Sequence, residues 1–425
     1  MRFLKQPSEN RVRHAGIVTI ALAAYLLASG CATDNEASRE AQRQTISDHF
    51  QAELDRLWLA AQTSEEDFPG ATAAYILADD HVFAFATGYS DVEEEQAMHP
   101  DMRMPSGSIG KTYVAAVVLS LVQDGTLDLD APISDWLGRE EWFDRLPNGA
   151  DITVRMLLNH SSGLLDHVFD SEDFQRSARE LLASGDTNRI LAPLDLVSFV
   201  LDAEPLFPAG QGFHYTDTGY ILLGLVIEEA THSTYWHQLR ERILNPLSLT
   251  FTTPQNRRSV PDLAQGYAPT SAELFGIGNR VVEDGELTFD PEIEWTGGGL
   301  FNNPQDMVRW AKILYSGKAM KQPYLEELLS SVAGVEDGSK ERIYGLGVDI
   351  RETDLGVTYG HGGFFPGYNS QLAYFPDHGI AIALQINTDN SRAAEHLGAL
   401  AKVLLEEVQR SGIEYTRSLT SEDPI

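Results

Sequence analysis

Nine consecutive positions, Val114 to Val122, are apolar except for Ser120, and this run most constrains how the chain can fold. A helix that is apolar on every side has to be buried on every side. The stretch leading into it is Met104 to Tyr113. Pro105 and Gly107 end the preceding segment, and Ser108 stands three residues before Lys111. With Ser108 in the first helical turn, Lys111 lies one turn on and on the same face, so hydroxyl and amine meet. The free N–H groups and partial positive charge of the helix N-terminus favour negative charge beside that hydroxyl. A serine alone is a weak nucleophile, and a desolvated neutral lysine is one way to activate it. Ser-x-x-Lys is equally the pattern of a helix cap followed by a solvated lysine, so the rest of the chain has to decide.

The 425 residues, 43% of them hydrophobic, suffice for one large composite domain or two. A formal net charge of -32 argues against nucleic acid as a partner and against electrostatic attachment to anionic lipid. Cys31 is the single cysteine, so no intramolecular disulfide can form. It ends a segment with a basic start (Arg2, Lys5, Arg11, Arg13) and a short apolar run, Ile17 to Ala28. With the small residues Ala28-Ser29-Gly30 before the cysteine, residues 1–31 resemble a bacterial lipoprotein signal, with lipid on Cys31 and a polar tether over 32–39. Ala28 departs from the usual Leu of that pattern. A plain secretory signal and a single membrane anchor are the alternatives.

Residues 40–62 predict an amphipathic helix with Ile46, Phe50, Leu54, Leu57 and Ala61 on one face. Two strands, Ala71 to Ala78 and His81 to Gly88, join at Asp79-Asp80. Asp124 to Asp130 looks superficially like a calcium loop but lacks its Gly and closing Glu, which leaves a tight turn. Helices are expected near 153–158, 193–201, 220–230, 235–243, 304–316 and 393–409. Residues 166–184 read as an acidic surface flap, and the loop-rich stretch 256–292 as a wall of the pocket. Residues 344–350, 371–375 and 380–387 read as strands. The expected fold is α+β, with strands from both ends of the chain in one antiparallel sheet. The domain spans 40–412, with a sheet lobe of about 40–104 and 300–412, a mainly helical lobe of about 105–299, and a tail at 413–425.

Two further stretches carry chemistry. Phe213 to Tyr220 contains Tyr215-Thr216-Asp217 ahead of a helix, and Tyr359 to Gly367 contains His361-Gly362-Gly363-Phe364 ahead of a strand. Alone, the first is a packed Tyr with an Asp cap and the second a Gly-rich turn that admits a ligand close to the backbone.

In this order the three stretches resemble the serine β-lactamase and penicillin-binding protein superfamily, whose pattern is Ser-x-x-Lys, then Tyr-x-Asn, then Lys/His-x-Gly. The flanking text resembles the branch holding class C β-lactamases, D-alanyl-D-alanine carboxypeptidases, D-aminopeptidases and family VIII esterases. The resemblance runs from about Asp48 to Gln409. It implies a β-lactamase/transpeptidase-like fold and acyl transfer through an acyl-enzyme, without cofactor or metal. Ser108 matches the nucleophile, Lys111 the base or proton shuttle, and Tyr215 the residue passing a proton to the leaving group. The N–H groups of Ser108 and Phe364 match the oxyanion hole, supported by Gly363. Asp217 and His361 stand in substrate-binding or supporting positions. Asp217 replaces Asn and cannot donate to a substrate carbonyl. His361 replaces Lys and grips a substrate carboxylate less firmly. Both departures favour an esterase or a D-amino-acid peptidase over a class C-type β-lactamase. The implied partner is a small-molecule or peptide substrate, with membrane contact only through the lipid. A non-catalytic sensor of cell-wall fragments is the rival of another class. An α/β-hydrolase is excluded, since position 106 is Ser where Gly-x-Ser-x-Gly requires Gly.

Overall fold

The computed structural model describes residues 13–64, 67–183, 191–335 and 342–412. They divide into two compact units, 13–50 with 403–412, and 51–402. The first is built from parts of helices Arg13–Ala61 and Ala393–Ser411. Within it His49 Nδ1 lies 3.2 Å from Glu407 Oε1, and Gln42 Nε2 donates to the Ser411 carbonyl at 3.0 Å. Of the expected apolar face, Ile46, Phe50, Leu54 and Ala61 are buried. The helix starts earlier than expected and includes 32–39, read above as a tether. No Gly or Pro between Cys31 and Gln62 interrupts it. Residues 1–12 of the signal, the side chain of Cys31 and the tail 413–425 lie outside what is described.

The second unit is organised on a nine-stranded antiparallel sheet. From one edge to the other its strands are Gln96–Ala97, Val82–Asp91, Gly70–Ile76, Ile380–Ile386, Tyr368–Phe375, Gly356–Phe365, Asp349–Thr353, Arg342–Tyr344 and Val332–Val335. The two halves of the chain meet where Ala71 faces Ile386 and Ile76 faces Ala381. Both central strands are buried along their whole length, which is why they read as continuous apolar runs rather than alternating ones. Helix Pro304–Tyr315 lies on the sheet. Its buried Trp310 stacks on Tyr113 at 4.3 Å and donates from Nε1 to Thr112 Oγ1 at 2.8 Å. Those two residues belong to helix Gly110–Gln123, buried from Gly110 through Leu119 as its composition demands. Helix Asp217–Thr231 packs against that helix, against Val154–Leu158 and against the turn Trp295–Gly297.

Three expectations are corrected. The strand expected over 344–350 is a hairpin, with Tyr344 opposite Asp349 and a turn through Gly347 at φ +73°. Of the Gly-rich turn read at 359–367, residues 359–365 belong to strand Gly356–Phe365, and the turn is confined to Pro366-Gly367, with Gly367 at φ +88°. The glycines within the strand serve close approach rather than turning. A Cβ on Gly360 would lie 1.9 Å from the Leu372 carbonyl oxygen, and one on Gly363 1.9 Å from that of Ser106. The surface flap expected at 166–184 begins with Asp166 and His167, each only 2% exposed, and continues as helix Glu172–Ala183.

Candidate active site

The chain enters helix Gly110–Gln123 through a 3₁₀ turn, Gly107–Ile109. Gly107 takes φ +55°, and a Cβ there would lie 2.6 Å from Phe364 N, so only glycine admits the strand this close. Ser370 Oγ donates to the Ser106 carbonyl at 2.7 Å, and Ser106 N donates to the Leu300 carbonyl at 2.9 Å. The turn carrying Ser108 is thereby clamped from two sides, and the Phe364 backbone is brought beside it.

Lys111 is fully buried. Its ammonium donates to Ser108 Oγ at 2.9 Å, to Asp217 Oδ1 and to the Gly297 carbonyl. Three protons thus meet three acceptors. The nitrogen also lies 5.0 Å from the Tyr215 ring centroid and 5.2 Å from that of Tyr220. Burial pulls the Lys111 pKa down, but the Asp217 charge and Tyr215 outweigh it and the net direction is up. Burial likewise raises the Tyr215 pKa, and the Lys111 charge offsets only part of it. In the free protein, therefore, Lys111 is an ammonium and Tyr215 a phenol. The Tyr215 hydroxyl is buried without a hydrogen bond of full geometry among the described residues, yet Lys111 and Ser108 are near enough to lower its pKa.

Two further acids surround the pair. Asp166 Oδ2 accepts from Asp217 N at 2.6 Å, while Oδ1 accepts from Val168 N at 2.7 Å and Phe169 N at 3.0 Å. Asp166 thereby holds the first residue of helix Asp217–Thr231, the one that binds Lys111. Burial and then the Asp217 charge push Asp166 up to about 7, against the pull of those N–H groups. Burial also pushes Glu294 up to about 8, with Lys111 opposing and Asp217 adding to the rise. One ammonium faces three carboxyl groups, and burial favours the protonated form of two of them, Asp166 and Glu294.

His160 sits beneath Tyr215, ring centroids 4.2 Å apart, in a left-handed backbone at φ +60°. Its Nδ1 accepts from Thr216 N at 3.1 Å, which fixes the neutral ring as the Nε2–H tautomer. His361 is 2% exposed. Its Nδ1 donates to the Gly362 carbonyl at 2.5 Å, and Nε2 lies 2.8 Å from Tyr344 Oη. The weaker grip on a substrate carboxylate expected of His361 fits this arrangement, because both ring nitrogens are engaged within the protein. Sequence reasoning missed His160, Asp166, Glu294 and Tyr344. Each stood in or beside a stretch already singled out, but residue type alone gave no signal for any of them.

His167 is buried against the same cluster, its Nδ1 3.0 Å from Thr218 Oγ1. Burial, with the Lys111 charge adding and Asp217 opposing, lowers its pKa from 6.5 to about 4. Its folded pKa lies below the unfolded one, so its stabilisation is fully present above pH 6.5 and is lost as pH falls toward 4. At about 1.4 kcal/mol per unit this amounts to roughly 3 kcal/mol. His167→Gln is expected to flatten the fall of Tm between these pH values. Parallel Tm–pH curves for the two proteins would contradict this.

Ser108, Tyr215, Asp217, Glu294 and His361 open onto a cavity of about 710 Å³ with largely apolar walls, into which residues of 256–292 also project. A beta-lactamase family model matches residues 46–405. The chain is 24% identical to penicillin-binding protein 4* of Bacillus subtilis (strain 168), covering 75% of this chain and 70% of that one. It is 26% identical to a D-aminopeptidase of Brucella anthropi, again over 75% of this chain but only 56% of the relative. Among solved structures it is similar to the D-amino acid amidase from Ochrobactrum anthropi SV3 complexed with D-phenylalanine. There the TM-score is 0.70 at 26% identity, over 86% of this chain and 99% of the amidase. A D-stereospecific amidohydrolase from Streptomyces sp. gives a TM-score of 0.70 at 27% identity, over 82% and 97%.

Proposed function

The chain belongs to the beta-lactamase family, and on that premise we propose that it is a serine hydrolase cleaving ester or amide bonds through an acyl-enzyme on Ser108. The observation that carries this reading is the contact of the Ser108 hydroxyl with the buried Lys111 ammonium at 2.9 Å, under the ring of Tyr215. Ser108 Oγ bonds to the substrate carbonyl carbon, and the bond from that carbon to the leaving oxygen or nitrogen breaks. Tyr215 takes the serine proton as it hands its own to the leaving atom, with the Lys111 charge stabilising the negative charge that builds on the phenol oxygen in passage. The N–H groups of Ser108 and Phe364 receive the charge on the carbonyl oxygen. Water then attacks the acyl-enzyme and restores Ser108. Lipid on Cys31 and export belong to this proposal on the N-terminal sequence alone.

The electrostatics favour substrates without a carboxylate near the scissile bond. Lys111 is saturated, His361 is engaged, Asp217 faces the cavity, and the two arginines of the lining, Arg351 and Arg392, are bonded to Asp349 and Glu395. That supports esters and amides with a free amine, in line with the D-aminopeptidase and D-amino acid amidase relatives. It disfavours β-lactams and peptides ending in a free carboxylate.

The test is kcat/KM against pH for p-nitrophenyl acetate, D-phenylalanine amide and nitrocefin. Because both Lys111 and Tyr215 hold their protons at rest, the rate is expected to rise with pH. Nitrocefin is expected to be the poorest substrate by at least about a hundredfold, the factor that loss of one charged contact of a few kcal/mol produces. Asp217→Asn removes the charge that opposes burial of Lys111, so the ascending limb is expected to move to lower pH by at least about one unit. Superimposable profiles, or nitrocefin as the best substrate, would overturn this assignment of charges.

A further inference from the structure

Resting on the acyl-enzyme reading of the same cavity, we infer that the substrate carries an extended apolar group, of about eight carbons or more, seated between helices Glu172–Ala183 and Pro269–Phe275. Phe174, Ala178 and Leu182 recur every four residues along the first helix, and all three line the cavity. Phe275 and Ile277 line it from the second segment. Arg179 Nη1 donates to the Leu274 carbonyl at 2.9 Å and ties the two walls together. The charged residues of the first helix, Glu172, Asp173, Arg176, Arg179 and Glu180, are absent from the cavity lining, so the sequence confines its apolar stripe to that side.

Size and exposure point the same way. A cavity of about 710 Å³ falls in the range of roughly 300–1,000 Å³ that encloses a whole drug-sized ligand, well beyond what an acetyl group or one benzyl side chain fills. Phe169 also lines the cavity, yet it is 53% exposed, with its ring 6.5 Å from that of Phe364 in an edge-on arrangement. A large apolar side chain left open beside the residue implied in the oxyanion hole gains burial only when something apolar lies against it. The lining supplied by helices Glu172–Ala183 and Pro269–Phe275 is apolar throughout, whereas Asp217 and Glu294 line the cavity from other segments. The cavity thus sorts a reacting head from an apolar tail.

The experiment is kcat/KM along two ester series. One is p-nitrophenyl esters from acetate to dodecanoate, which lengthens the acyl side. The other is acetates of n-alkanols from ethanol to dodecanol, which lengthens the leaving side. Full burial of one methylene is worth about fourfold. At partial burial, kcat/KM is expected to rise at least about tenfold between the four-carbon and ten-carbon members of one series, and the responding series identifies the side. Phe169→Ala alters an exposed side chain and is expected to leave Tm unchanged while lowering the decanoate-to-acetate ratio at least about fivefold. Leu182→Trp, which fills the far wall, is expected to lower the same ratio. If acetate is hydrolysed in a Ser108-dependent way and both series stay flat or fall, this inference is overturned and the acyl-enzyme reading stands. If no ester is turned over through Ser108, both are overturned.

Discussion

Replacing Ser108 by Ala is expected to lower kcat by at least about a thousandfold on any ester the protein hydrolyses, with Tm preserved. The residue is only partly buried, and its hydroxyl accepts a single hydrogen bond from Lys111 among the described contacts. Little packing is lost with one oxygen atom. No neighbour replaces it. Ser106 is fully buried and bonded to the Leu300 carbonyl at 3.2 Å. Ser162 is fully buried as well, and neither has a lysine one helical turn on. The variant also keeps the Phe364 backbone and the cavity, so substrate binding survives and kcat carries the loss. Turnover within about tenfold of the parent in pure Ser108→Ala protein would remove the serine from the mechanism.

Lys111→Met is expected to cost activity on a similar scale, about a thousandfold or more, and in addition to lower Tm. Met approximates the length of the lysine stem without its charge. The Gly297 carbonyl loses a donor, and the Asp217 carboxylate loses its cation in a site where its side chain is only 19% exposed. Leaving one member of a buried pair behind costs roughly 3–5 kcal/mol, and the remaining exposure of Asp217 reduces that figure. The double variant Lys111→Met/Asp217→Asn separates the two effects. Removing the orphaned charge is expected to recover much of the lost Tm, because replacing both members of a buried pair is far less costly than breaking it. Activity is expected to stay lost, because the cation that stabilises the passing phenolate is still absent. Recovery of activity in the double variant would show that Lys111 serves the fold alone.

The contact between Ser108 and Lys111 was legible because it depends on residue type at short spacing. One helical turn brings a hydroxyl to an amine whatever the surrounding fold, and an all-apolar helix behind them has to be buried. The nine-stranded sheet was legible in outline for a related reason, since runs such as Gly70–Ile76 and Ile380–Ile386 satisfy both faces only at its centre. Asp166 was not legible. Its importance lies in three backbone N–H groups, one supplied by a residue 51 positions away, and an acidic residue after a loop looks like surface until that contact exists. Glu294 and Tyr344 were hidden in the same way, by partners that only the tertiary fold assembles. Gly360 and Gly363 misled because a strand crossed closely by other backbones and a turn call for the same residue. The partners of His361 were not legible either. Its role in the folded chain is set by Tyr344 and by the Gly362 carbonyl beside it.

The central claim is a covalent intermediate on one serine. Intact-protein mass spectrometry after reaction with an alkyl fluorophosphonate, followed by peptide mapping, tests it most directly. A single adduct on the peptide containing Ser108 is predicted for the parent protein, formed in step with loss of esterase activity and absent from Ser108→Ala. An adduct on any other residue, or an unmodified Ser108 in protein that the reagent has inactivated, would contradict it.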